Sequence, residues 1–170
     1  MKTLAAFLLC LGTQLAAQDM QPCPMHKEHS DKSHQTTVEK NGDQAMGFPH
    51  DKTAHHFRLY ADGGAIEVTV NDSQDLTDLQ AIRSHLAHIA KLFSNGDFAI
   101  PMFVHDQVPP GVPAMKAKRR AISYQYEEIT GGARVRIQTA DTAALSAIHD
   151  FLRFQIEDHH TGDTLKAGAH

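Results

Sequence analysis

Thirteen of the 170 residues are histidine, accompanied by six methionines and two cysteines. Imidazole is the commonest metal ligand among side chains. Thiolate and thioether are soft donors that select Cu(I), and thiolate with imidazole also suits zinc. Cys23, Met25 and His26 fall within four residues, and His29 and His34 follow closely. His85 and His88 are spaced i,i+3, so on a helix they face the same way. His55 lies in an alternating run, and His105 in an apolar run broken by prolines. Metal binding is the chemistry these residues share. Copper, as Cu(I) or Cu(II), is the first expectation and zinc the alternative.

Cys23-Pro24-Met25-His26 resembles the heavy-metal-binding motif of bacterial copper and silver efflux proteins. Lys27 stands where that motif usually carries a second proline. The resemblance implies capture of a soft metal ion by Cys23, Met25 and His26. Three longer stretches, MGFPHDKTAHHFRLYADGGAIEV, GDFAIPMFVHDQVPPGVPAMK and IHDFLRFQIEDHHTGD, resemble an uncharacterised family of small exported bacterial proteins. That resemblance implies export and brings no activity with it.

The elements that must position these donors follow from pattern. Residues 1–17 carry Lys2, an apolar run from Leu4 to Leu11 and the small pair Ala16-Ala17. That order reads as a signal peptide cleaved after Ala17, and the apolar run is too short to span a bilayer. The protein is therefore expected to be exported and periplasmic, or extracellular, with no integral membrane segment in the mature chain. Export trimming removes Cys10 and leaves Cys23 alone, free for metal rather than an internal disulfide. Residues 18–50 are polar and aperiodic, which predicts a mobile tail.

Residues 51–165 read as one α+β domain, and 166–170 as a C-terminal tail. Phe57 and Leu59 alternate with polar residues, Asp62-Gly63-Gly64 signals a turn, and Ile66, Val68 and Val70 alternate again. A helix follows from about Leu76 to Ser94. The second half repeats this order. Tyr124 and Tyr126 lie on one strand, Gly131-Gly132 turns, Val135 and Ile137 form its partner, and a helix starts near Ala143. Phe57 aligns with Tyr126 and Ile66 with Val135, while Ile82 aligns with Ile148 and Leu86 with Leu152. The expected fold is a duplicated ββα-ββα unit, a four-stranded antiparallel sheet with two helices on one face.

The repeat also sorts the histidines. His55, His85, His88 and His159 align with Tyr124, Phe151, Phe154 and Phe93, so one half has imidazoles where the other has aromatic rings. His55, His85 and His88, with His105 from the central stretch, are the expected ordered metal site. His149 and His160 are expected on polar faces. Four prolines between Phe98 and Lys118 predict a loop without regular helix.

Much else is excluded. The net charge is −4 and the only basic run, Lys116 to Arg120, is short, so a nucleic-acid partner is not expected. No haem-attachment Cys-x-x-Cys-His, zinc ribbon, Gly-x-Ser-x-Gly elbow or phosphate loop occurs. The sequence thus points to an exported protein for copper sequestration or handover in metal tolerance, with a metal transporter or efflux component as partner. A metal-dependent enzyme using the same histidines, and a module binding haem or a small ligand, stand beside it.

Overall fold

The computed structural model describes residues 24–168, with side chains from residue 32 onward. In chain order the elements are α1 Pro24–Met46, β1 Thr53–Tyr60, β2 Gly63–Val70, α2 Leu76–Ser94, α3 Ala99–Val104, α4 Val112–Ala117, β3 Ile122–Ile129, β4 Gly132–Thr139 and α5 Thr142–Asp158. The four strands form one antiparallel sheet in the order β1-β2-β4-β3. The fold is α+β. The order ββα occurs twice in it.

The two hairpins share one register. Phe57 pairs with Ile66 as Tyr126 pairs with Val135, and His55 pairs with Val68 as Tyr124 pairs with Ile137. Where β2 meets β4, Ile66 stands opposite Val135, and the pairs Gly63–Gln138 and Thr69–Gly132 mirror one another. The halves are thus related by a pseudo-twofold axis through the centre of the sheet.

Side chains alternate across the pleat. One face carries His55, Phe57, Leu59, Ile66, Val68, Val135, Ile137 and Tyr124. The other carries polar groups such as Glu67, Arg134 and Glu127, which share one register row and are ion-paired. Both long helices meet the apolar face. The Phe93 ring of α2 lies edge-on to Tyr124 at 5.7 Å. Leu152 of α5 stands so close to Gly64 that a Cβ there would collide with its Cδ1. Helix starts are set by side-chain caps. Asp75 accepts from the backbone N–H of Asp78, and Asp141 from those of Ala143 and Ala144. Ile82, Leu86, Ile89 and Phe93 of α2 and Ile148, Phe151, Leu152 and Ile156 of α5 are buried in the core. Among the described residues no helix is long and apolar enough to cross a membrane.

Two expectations from sequence differ from the structure. The segment predicted as an aperiodic mobile tail is helical from Pro24, and Val38 in it is only 1% exposed. Helix α1 has no broad apolar stripe. It docks through a seam at every fourth residue. His34 bonds Asp158 at 2.9 Å, Val38 and Gly42 are buried, and the Met46 sulfur lies 3.2 Å from His55 Nε2. The central stretch, predicted as a loop, contains two short helices. Pro101 and Pro113 fall in their first turns, where a missing N–H costs nothing.

Candidate functional site

A cavity of about 290 Å³ opens between the apolar face of the sheet and the helices that cover it. Phe57, Ile66 and Val68 come to it from the sheet, Leu86 and Ile89 from α2, Val104 from α3, Phe151 from α5, and Val38 and Gly42 from α1. Set into this apolar wall are five histidines, His50, His55, His85, His105 and His159, together with Met46 and Gln155. The pseudo-twofold explains the place. On the other half, Phe93 packs edge-on against Tyr124 and Phe151, at 5.7 and 6.0 Å, and Phe98 stacks on Phe93 at 4.4 Å. His159, His55 and His85 occupy the equivalent positions here, and the space among them is the cavity.

The rings form a chain of contacts. His55 Nε2 touches Met46 Sδ at 3.2 Å, and its ring lies 6.4 Å from Phe48, which meets His85 edge-on at 5.8 Å. His55 stacks at 6.3 Å with His159, which lies 4.9 Å from His105. Burial disfavours the charged imidazolium. It brings His55 down to about 4, with the neighbouring His85, His50 and His56 acting in the same direction. Burial, then His88, brings His85 to about 4, and burial, then His105 and His55, brings His159 to about 3. All three are neutral at pH 7, the form in which a histidine binds metal.

His105 is differently placed. It is 2% exposed, its Nδ1 meets the Asp158 carboxylate at 2.5 Å and its Nε2 lies 3.0 Å from Gln155 Oε1. Asp158 also receives His34 at 2.9 Å. Burial pushes its carboxyl up, but the hydrogen bonds from His34 and His105 outweigh this and hold it below the ordinary carboxylate range.

The residues expected to bind metal are therefore distributed unevenly. His55 and His85 both line the cavity. His105 lines it with its ring nitrogens already engaged. His88 is exposed and does not line it. Cys23 lies outside the described residues, as do the side chains of Met25 and His26. Met46, His50 and His159 complete the cavity. The alignment of His159 with Phe93 is the sequence signal that marks the last of these. His149, expected on a polar face, is part-buried and sets Nε2 against the carbonyls of Tyr60 and Gly63 at 2.9 and 3.0 Å. Among the described residues no three His, Cys, Asp or Glu side chains converge closely enough to hold a metal ion. No family model matches the chain, and no curated protein or solved structure matches it.

Proposed function

We propose that the protein binds a soft metal ion, Cu(I) above all, at the Met46–His55 contact, and serves in its sequestration or handover. The observation that carries this reading is the 3.2 Å approach of His55 Nε2 to Met46 Sδ inside a cavity where burial keeps His55, His85 and His159 neutral. With Nε2 protonated the contact is a weak N–H···S bond. With the other tautomer two lone pairs face each other, and a soft cation between them relieves that repulsion. Donors held at about 2.0 and 2.3 Å from one tetrahedral ion stand roughly 3.5 Å apart, so a small rotation of the flexible methionine admits it. The cavity volume sits at the lower edge of ordinary ligand sites, about 300–1,000 Å³, and suits an ion or a small molecule better than a haem macrocycle. Export, from residues 1–17, and a first capture by Cys23, Met25 and His26 belong to the same proposal.

The test is anaerobic Cu(I) titration against a chromophoric chelator, with Zn(II) and Cu(II) in parallel. Met46→Leu and His55→Phe are the informative variants. Leucine conserves volume, and an aromatic ring already fits the equivalent position at Tyr124. Each is expected to weaken Cu(I) binding about tenfold or more, a loss of ~1.4 kcal/mol or greater, whereas His88→Ala leaves it unchanged. Unaltered Cu(I) affinity in both Met46→Leu and His55→Phe would sink the proposal.

A further inference from the structure

The chain of rings that begins at Met46 and His55 passes through His159 and ends at His105 and Gln155. Gln155 is 4% exposed and lines the cavity. Its Oε1 lies 3.0 Å from His105 Nε2, and its Nε2 has no hydrogen-bond partner. An unsatisfied buried donor forfeits its hydration without return, and native interiors keep few of them. In this orientation of the amide, Oε1 is the end that meets His105 Nε2 and Nε2 is the end left without a partner. His105 is itself held by Asp158 on its other nitrogen. The unpartnered donor thus sits on a residue that lines the cavity.

The rest of the lining defines what that space can take. Among the described residues it includes no Lys or Arg, and the one carboxylate among them, Glu39, stands 4.0 Å from His50. A carboxylate or phosphate would be desolvated there without a counter-charge, at heavy cost. Phe57, Val104 and Phe151 offer apolar surface instead. A cavity of about 150 Å³ accommodates benzene, so one of about 290 Å³ has room for a fused pair of rings.

From this we infer that the Gln155 end of the cavity binds a compact, uncharged organic molecule of one or two rings through a single acceptor oxygen, which takes the Gln155 Nε2–H. The aromatic carbonyl compounds are the class that fits. Their rings replace the packing that Phe98 supplies in the other half, and their oxygen completes the glutamine. The site goes beyond the metal reading and does not depend on it. The groups involved, Gln155 and His105, are not the pair assigned to the ion.

The test uses two probes of one shape. 1-Tetralone and tetralin share a bicyclic frame, and only the ketone has an acceptor. Each is titrated into the full, metal-free chain, followed by the side-chain amide resonances of the protein. Tetralone is expected to bind about threefold to tenfold more tightly than tetralin and to shift the Gln155 side-chain amide. Gln155→Leu is expected to bind both equally. Equal affinity of the two probes for the unmodified protein, a Gln155 amide unmoved at saturation, or failure of both to bind would each overturn the inference, leaving Gln155 with water alone. The unmodified protein decides the matter even where Gln155→Leu does not fold. Because the copper titration reads Met46 and His55 and this one reads Gln155, either result can fail without the other.

Discussion

His159 holds the position that Phe93 holds in the other half of the molecule, and the exchange of ring for ring leaves a mark on acid stability. An unfolded histidine titrates near 6.5. His55 and His85 are brought to about 4 and His159 to about 3 in the folded protein, chiefly by burial. Between these values and 6.5 the unfolded chain binds protons that the folded chain refuses. Stability therefore rises with pH across that window and is lost as pH falls from about 6.5 toward 4. Each such group adds a slope of up to about 1.4 kcal/mol per pH unit. Urea unfolding at pH 7.0, 6.0 and 5.0 is expected to show a falling midpoint, and His159→Phe to flatten that fall. A variant whose midpoint drops as steeply as that of the unmodified protein would show that His159 is not held neutral. The residue pattern disclosed this much in advance. The alignments of His55 with Tyr124 and of His85 with Phe151 mark both as interior positions. The same alignment misleads at His88, whose counterpart Phe154 is itself only part-buried, beside His105 at 4.8 Å. Alignment conveys that a position is equivalent, and the covering elements decide whether it is enclosed.

Among the elements, the polar helix α1 forms one wall of the cavity. It contributes Val38, Gly42 and Met46 to the lining and is fastened by a few polar ties, His34 to Asp158, Asn41 to the Phe103 carbonyl, and the Asp43 carboxylate to His50. Val38 is the one aliphatic anchor among them, so Val38→Asp buries an unpaired carboxylate or forces the helix away. Faster amide exchange is expected throughout α1 in that variant, with protection in β2 and β4 kept. Unchanged exchange in α1 would mean that the polar ties hold the helix unaided. This helix is also where the sequence was least legible. Strands and long helices declare themselves by alternation, by apolar stripes and by aspartate caps, and the hairpins follow from their glycine turns. A polar helix docked along one residue in four has no such periodic signal. His34, Val38, Gly42 and Met46 share a face only once the helix is assumed. Met46 was therefore visible as a soft donor but not as a neighbour of His55, because their contact depends on how α1 returns across the sheet.

At the scale of the whole molecule the cavity lies where the β1–β2 half of the sheet's apolar face, both long helices, α3 and α1 come together, so an ion bound in it stabilises several elements at once. An ion that binds only the folded state at a hundredfold excess over its dissociation constant adds about 2.7 kcal/mol. In a chain of this size each kcal/mol moves the melting temperature by roughly 2–4 °C. Saturating Cu(I) is therefore expected to raise the Tm by about 5–10 °C in differential scanning calorimetry under anaerobic conditions. His55→Phe should melt without that rise, while Cys23→Ser should keep it, because the stabilisation comes from the cavity. The comparison separates two ways of holding copper that a binding isotherm alone would merge. Metal taken up by Cys23, Met25 and His26 without the cavity satisfies a titration yet leaves the melting temperature in place. Metal at Met46 and His55 joins α1 to β1, elements the unfolded chain does not hold together, and the gain in Tm measures that junction directly. A Tm unmoved by Cu(I) at full occupancy would remove the cavity from the metal's path and leave its imidazoles to the organic ligand.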